Sequence, residues 1–306
     1  MNASSTTKAV VLLIICTFFW GSCFPIGKHA LNEVHALTLV FWRFTIAAVC
    51  LALYILLMGA ERFALTIRQW IWVVAVSAVG VGGLNLGLFT GLEHTAATNG
   101  SLIMALSPLM TALIACIAMR SLPTLPQCFS LVISLSGVLM VITNGHLETL
   151  LTMDINQGDK MIFSGMLAWS FYTYCSQSIS RWMPVIPYTL VGMLSGATVI
   201  GLMCLATPEV HPFAELMSSS ALGMTEVVYI GVFGTVAGYL LWLNGVRELG
   251  SPTAALFFNF VPVFAVLTAY LMGQAVTQLQ LVGIAIVILG LLLPRLPVFR
   301  KATQAV

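Results

Sequence analysis

Arg43 is the charged residue whose position asks most for an explanation. It lies within LVFWRFTIAA, inside a long apolar run. A guanidinium in hydrocarbon is costly. Such an arginine either faces a wet cavity, where it attracts a carboxylate or holds a gate, or it clamps backbone carbonyls and a neighbouring helix. Lys28 lies nearer the end of its run, and snorkelling to the interface accounts for it. No Asp or Glu falls deep in any apolar run; Glu93 and Glu226 come nearest. A buried carboxylate that trades a proton for substrate therefore has no carrier. Proton coupling would need another group, and without one the chain is a facilitator.

Other chemistry is poorly supplied. His29, His35, His94, His146 and His211 fall at run ends or in connections, with no HExxH-type spacing, so solvated interfacial histidine is the plain reading. The seven cysteines (16, 23, 50, 116, 128, 175 and 204) lie in or beside apolar runs without a CxxC pair, so neither a disulfide framework nor a metal site is indicated. No Ser-His-Asp order or paired carboxylate suggests catalysis, and no GxxxxGK[ST] loop suggests ATP use. No enzyme activity, cofactor or metal is expected.

Aromatic and amide residues form a more coherent set. Trp20, Phe24 and Lys28 recur at helical spacing on one face, as do Trp169, Tyr172 and Ser176. Asn85 pairs with Phe89 and Tyr239 with Trp242, while Ser101 and Asn259 add polar groups. Each residue alone could serve helix packing or an interfacial belt. Together they suit a cavity with aromatic walls and few hydrogen-bonding groups, which fits a small amphipathic molecule. Trp20, Phe24, Trp169, Tyr172, Tyr239 and Trp242 would form walls, Asn85, Ser101 and Asn259 would bond, and Arg43 would orient a carboxylate.

The elements that must position these residues are membrane helices. The chain is 59% hydrophobic and 7% charged, with mean hydropathy +1.02, whereas a soluble domain carries about a quarter charged residues. A membrane helix needs roughly 20 apolar residues. Ten runs qualify, near 9–31, 35–58, 70–92, 95–119, 125–143, 161–183, 187–207, 224–246, 252–273 and 278–294. The first is too long for the core of a cleavable signal peptide and lacks a small-residue cleavage site. With the N-terminus cytoplasmic, Lys8, Arg62, Arg68, Arg120, Arg181, Arg247, Arg295, Arg300 and Lys301 lie inside and only Lys160 outside. That bias follows the positive-inside rule and puts both termini in the cytoplasm. The basic residues are scattered, so they mark topology and not a nucleic-acid surface.

A polar stretch at 144–159 divides the ten runs into five and five, giving units 1–143 and 160–306. Five is odd, so a second copy enters the membrane inverted, an arrangement found in secondary transporters. Laying 80–113 on 234–267 pairs Gly80 with Gly234, Gly91 with Gly245 and Pro108 with Pro262; the first helices align Trp20 on Trp169. Glu93 falls on Arg247, a change of sign that inversion explains. Pro108 and Pro262 should kink both copies in mid-span, and Gly80 and Gly234 would let helices slide.

The chain resembles the EamA family of the drug/metabolite transporter superfamily. WGSCFPIGK at 20–28 resembles the first-helix signature, and RFTIAA at 43–48 the second helix. LIMALSPLMTALIA at 102–115 and LFFNFVPVFAVLTAYLMG at 256–273 resemble the proline-bearing fourth helix of each repeat, and LVGIAIVILGLLL at 281–293 the closing helix. The resemblance implies an all-α integral membrane fold of ten transmembrane helices in two inverted five-helix repeats. It also implies a central cavity and export of amino acids or related metabolites, here aromatic or otherwise amphipathic, across a bacterial inner membrane. Two further readings stay open: an exporter of drugs or lipophilic cations, and a membrane assembly or signalling component with no substrate. No motif fixes an oligomeric state.

Overall fold

The computed structural model describes residues 3–59, 61–92, 94–95, 100, 103–120, 122–143, 145 and 155–292. Among the described residues ten long helical segments follow in order, besides the short helix Pro212–Ser218. They are α1 (Ala3–Ala30), α2 (Ala36–Met58), α3 (Ile67–Ser77, a π segment Ala78–Gly83, then Leu84–Leu92), α4 (Ser107–Met119) and α5 (Leu125–Thr143). Then come α6 (Gln157–Ile179), α7 (Val185–Ala206), α8 (Ala221–Tyr229, a π segment Ile230–Ala237, then Gly238–Leu249), α9 (Ser251–Leu256, a 3-10 turn Phe257–Asn259, then Phe260–Leu271) and α10 (Gln278–Leu292). Six of them (α1, α2, α3, α7, α8 and α9) are long and apolar enough by themselves to cross a bilayer; α4, α5 and α10 are shorter apolar helices. No strand occurs among the described residues.

Most boundaries fall within a few residues of those read from hydropathy. The first does not, since α1 begins at Ala3 and not near 9; α6 begins at Gln157, four residues ahead of 161, where a polar cap starts it before the apolar run does. The Asn156 side chain accepts the Asp159 N–H at 2.9 Å, and the Asp159 carboxylate accepts the Asn156 N–H at 3.0 Å. The segment near 208–220, expected as loop, contains a short helix, Pro212–Ser218, with proline in its first turn.

The two repeats correspond at several positions. The π segments of α3 and α8 are equivalent at the offset that pairs Gly80 with Gly234. A side chain built on Gly80 would meet Tyr172, and one on Gly234 would meet Cys23; Tyr172 and Cys23 are themselves equivalent at the offset that lays Trp20 on Trp169. Gly91 against Ile162 and Gly245 against Leu13 repeat the relation. These glycines serve close helix approach, which small residues permit. The contacts also show an exchange. The first helix of each repeat packs in the other repeat's bundle: α1 lies on α8 and α9, and α6 on α3 and α4. The helix pairs α2 with α7 and α5 with α10 join the two bundles.

Pro108 follows a break, and Pro262 follows a 3-10 turn within a helix that stays continuous. Residues 105–106 form a turn before α4, and Phe257–Asn259 forms the 3-10 turn of α9. Each proline stands in the first turn of the piece that follows, where a missing N–H leaves no hydrogen bond unmade.

Alternating helices give the bundle two ends. One end carries Arg62, Arg120, Arg181 and Arg247 and is called the basic end; the other carries the 31–35 connection and the Pro212–Ser218 helix.

Candidate functional site

The residues expected to wall a cavity converge, but into a closed plug. Trp20 of α1 meets Trp169 of α6 edge to face at 5.6 Å between ring centroids, Tyr239 at 5.9 Å, Trp242 at 5.1 Å and Phe258 of α9 at 5.8 Å. Trp169 stacks on Tyr172 at 5.5 Å, and Tyr172 stacks on Tyr188 of α7 at 5.8 Å. Trp242, Tyr172 and Tyr188 are fully buried, and Trp20, Trp169 and Tyr239 nearly so. The exchange of first helices makes this possible, because it carries Trp20 onto α8 and Trp169 onto α3 and α4. Edge-to-face and offset pairs at 4.5–7 Å each add about 0.5–1.5 kcal/mol beyond the area they bury. The sequence did not announce Tyr188 or Phe258 as members.

Two hydrogen bonds tune the plug. The Trp20 Nε1–H donates to the Gly234 carbonyl at 2.9 Å, inside the α8 π segment. Tyr188 and Ser176 hydroxyls lie 2.8 Å apart. The Trp242 Nε1–H is buried without an acceptor among the described residues.

Arg43 stands above the plug, on the side away from the basic end. It is seven residues into α2, about 10 Å below the end of that helix at 1.5 Å per residue. Its Nε donates to Thr235 Oγ1 at 3.0 Å, and the Thr235 hydroxyl donates to the Ile230 carbonyl at 2.9 Å. That second bond reaches five residues back, within the π segment. Thr235 lies one turn from Tyr239, so the arginine is fixed a turn above the aromatic floor. Its guanidinium is half-buried, 5.4 Å from the Phe44 ring centroid. Among the described residues its terminal nitrogens have no hydrogen-bond acceptor. A planar cation with two free nitrogens, over the Phe44 ring, can hold a carboxylate in two-point fashion.

The other expected residues scatter. Phe24 is 57% exposed and joins no ring pair among the described residues. Asn85 is buried and its Nδ2 donates to the Val81 carbonyl at 2.8 Å, so its amide group braces the π segment of α3. Asn259 donates through Nδ2 to Ser134 Oγ at 2.8 Å, linking α9 to α5, while its buried Oδ1 has no partner among the described residues. Ser101 and Glu93 lie outside the described residues. Gly80 and Gly234 occupy the two π segments, where a side chain would meet Tyr172 and Cys23 respectively.

A set of polar ties at the end opposite the basic one was not read from the sequence. Glu226, buried near the start of α8, meets His29 Nδ1 at 2.8 Å. The Glu33 carboxylate accepts the Ser220 N–H at 2.6 Å and its hydroxyl at 2.8 Å. Glu215 accepts the N–H groups of His35 at 2.8 Å and His211 at 2.9 Å. Burial pushes the Glu215 carboxyl up, but the His35 N–H, the Thr38 hydroxyl, the His211 N–H and the His35 charge together hold it below the ordinary carboxylate range. The run-end histidines and the near-miss Glu226 were the available signals; their pairing needed the fold.

The model of the EamA-like transporter family matches residues 7–143 and again 156–295. The chain belongs to this family. The EamA-like resemblance read from the sequence is thereby borne out, and so are the repeat architecture and the assignment to transporters and not enzymes. Among its relatives, the uncharacterized transporter YyaM of Bacillus subtilis is 31% identical over 92% of this chain and 92% of its own length. A protein of Streptantibioticus cattleyicolor, described as a probable terminal-alkyne amino-acid exporter, is 24% identical over 94% of this chain and 93% of its own. One solved crystal structure superposes with a TM-score of 0.75 at 16% identity, covering 96% of this chain and 97% of the other, and supports the EamA-like fold alone. The protein is a multi-pass membrane transporter of EamA type.

Proposed function

We propose that this transporter exports small amphipathic metabolites, foremost amino acids and among them aromatic ones, by alternating access across the bacterial inner membrane. The observation that carries the reading is Arg43, held by Thr235 one turn above the Trp20–Trp169–Tyr239 floor. The free guanidinium edge takes the carboxylate, and the rings take the side chain. A single cation suits a carboxylate and falls short of a phosphate ester, whose charge calls for more. Positive-inside bias puts the basic end and both termini in the cytoplasm, so the plug closes the cytoplasmic side and Arg43 faces outward. The printed description of the Streptantibioticus relative supports the substrate class.

The two bodies that rock are then the exchanged bundles, α1 with α8 and α9 against α6 with α3 and α4. Export requires the plug to open toward the cytoplasm while the opposite side closes, through α2 against α7 and α5 against α10.

Counterflow in proteoliposomes tests the reading, using radiolabelled amino acids with and without an imposed pH gradient. Exchange of one amino-acid group, lost on Arg43→Ala in folded protein, is the expected result. Exchange of lipophilic cations in its place, or of nothing by protein shown to be folded, overturns it.

A further inference from the structure

The basic end holds a cavity of about 220 Å³ between α2, the start of α7 and the end of α8. Its walls include Tyr54, Glu61, Ile186, Pro187, Asn244 and Arg247. Pro187 precedes Tyr188 in α7, and Asn244 follows Trp242 in α8, so the cavity lies on the basic-end side of the plug. It also spans the join between the two bundles, since α2 packs on α7 there.

The cavity carries one charge of each sign. Arg247 donates through Nη2 to Asn244 Oδ1 at 3.1 Å, and Asn244 is held in turn by its Nδ2–H to the Leu240 carbonyl at 2.7 Å. The guanidinium is thus tethered to the wall, with Glu248 Oε1 3.5 Å from its Nε at the solvent edge. That contact is half exposed, and such pairs contribute little. No ion pair joins Glu61 to Arg247 among the described residues. Tyr54, Ile186 and Pro187 add apolar wall to the same cavity. A ligand with only one charge leaves the opposite group of the cavity unmatched; a ligand with both, on neighbouring atoms, matches each.

We infer that this cavity is an entry vestibule that binds zwitterionic α-amino acids, the carboxylate toward Arg247 and Asn244 and the ammonium toward Glu61, before the plug opens. The assignment rests on the transport reading above for its purpose, but not for its chemistry. It gives the carrier a first, weak selection step, distinct from the Arg43 site on the other side of the plug.

The test is thiol protection at the vestibule itself. Ile186→Cys is labelled with a membrane-impermeant maleimide in inside-out vesicles, and Tyr54→Cys serves the same readout if Ile186→Cys does not insert. An α-amino acid should slow labelling about fivefold or more, while its N-acetyl and amide derivatives should not. Arg247→Gln or Glu61→Gln should weaken that protection about tenfold, the scale of one charge-assisted hydrogen bond, with partial return in Arg247→Lys. Protection should survive Arg43→Ala, which separates it from closure driven by the central site. Equal protection by the singly charged derivatives, or loss of protection in Arg43→Ala, overturns the vestibule. Counterflow without protection overturns it while leaving the transport reading intact; protection without counterflow does the reverse.

Discussion

Trp20 and Trp169, equivalent residues of the two repeats, meet edge to face at 5.6 Å on the line where the two bundles join. The symmetry stops at their indole nitrogens. Trp20 bonds the Gly234 carbonyl, and Trp169 makes no such bond among the described residues. Trp20→Phe therefore loses a hydrogen bond worth about 0.5–1.5 kcal/mol on top of ring area, and Trp169→Phe loses ring area alone. Thermal unfolding in one detergent should show the larger loss for Trp20→Phe. Equal losses would mean that the π-segment carbonyl contributes nothing to closing the plug.

Gly234 and Gly80 differ in what blocks a side chain. At Gly234 the obstacle is the Cys23 sulfur, and the remaining neighbours lie at an ordinary 3.8 Å. At Gly80 the obstacle is the Tyr172 Cβ, which every residue except glycine shares. Both alanine substitutions should destabilise by about 1–3 kcal/mol, the usual range for overpacking. Cys23→Ala should rescue Gly234→Ala, and Tyr172→Ala should fail to rescue Gly80→Ala. The readout is the melting temperature of the four single and two double variants.

Arg43 acts through geometry as well as charge, so its lysine variant discriminates. Arg43→Ala should abolish exchange of carboxylate substrates. Arg43→Lys keeps the charge but loses the planar fork, and should weaken half-saturation about tenfold, one charged hydrogen bond's worth. Thr235→Val removes the oxygen that fixes Nε and should fall between wild type and Arg43→Lys. Counterflow rates against substrate concentration measure all three. Full activity in Arg43→Lys would reduce the arginine to a generic positive charge.

Much of this architecture was legible because lipid imposes a length rule, and an odd number of helices forces inversion. Gly80 with Gly234 and Pro108 with Pro262, at one offset, located both the π segments, the break before α4 and the 3-10 turn of α9. Their form was not legible. A π segment depends on where Thr235 and Trp20 spend their hydrogen bonds, and a break or a 3-10 turn differs from a kink only in backbone pairing that proline leaves open. The exchange of α1 and α6 was hidden for a related reason. In a bilayer every helix is apolar all round, so hydropathy names the helices and not their neighbours. The aromatic set was read as cavity walls because side-chain type cannot tell an open wall from a closed plug. Phe24 shares a helix face with Trp20 yet ends up exposed, one turn beyond the closure. The ties of Glu33, Glu215 and Glu226 cross between connections distant in sequence, where spacing carries no information.

Those ties make a pH prediction with a definite sign. The N–H and hydroxyl of Ser220 hold the Glu33 carboxyl below its ordinary range, because both donate to the ionised form. The folded value lies under the unfolded one, so the contribution to stability is complete above the unfolded carboxylate range. It is lost as pH falls through the lowered folded value. Glu33→Gln lacks this contribution at every pH. The melting temperatures of wild type and Glu33→Gln, followed from about pH 7 to about pH 3, should be furthest apart at the upper end and converge toward the lower. A gap that stays constant would show that Ser220 bonds the neutral and ionised side chains equally. That would remove the carboxylate's charge from the account of how the 31–35 connection is held to α8.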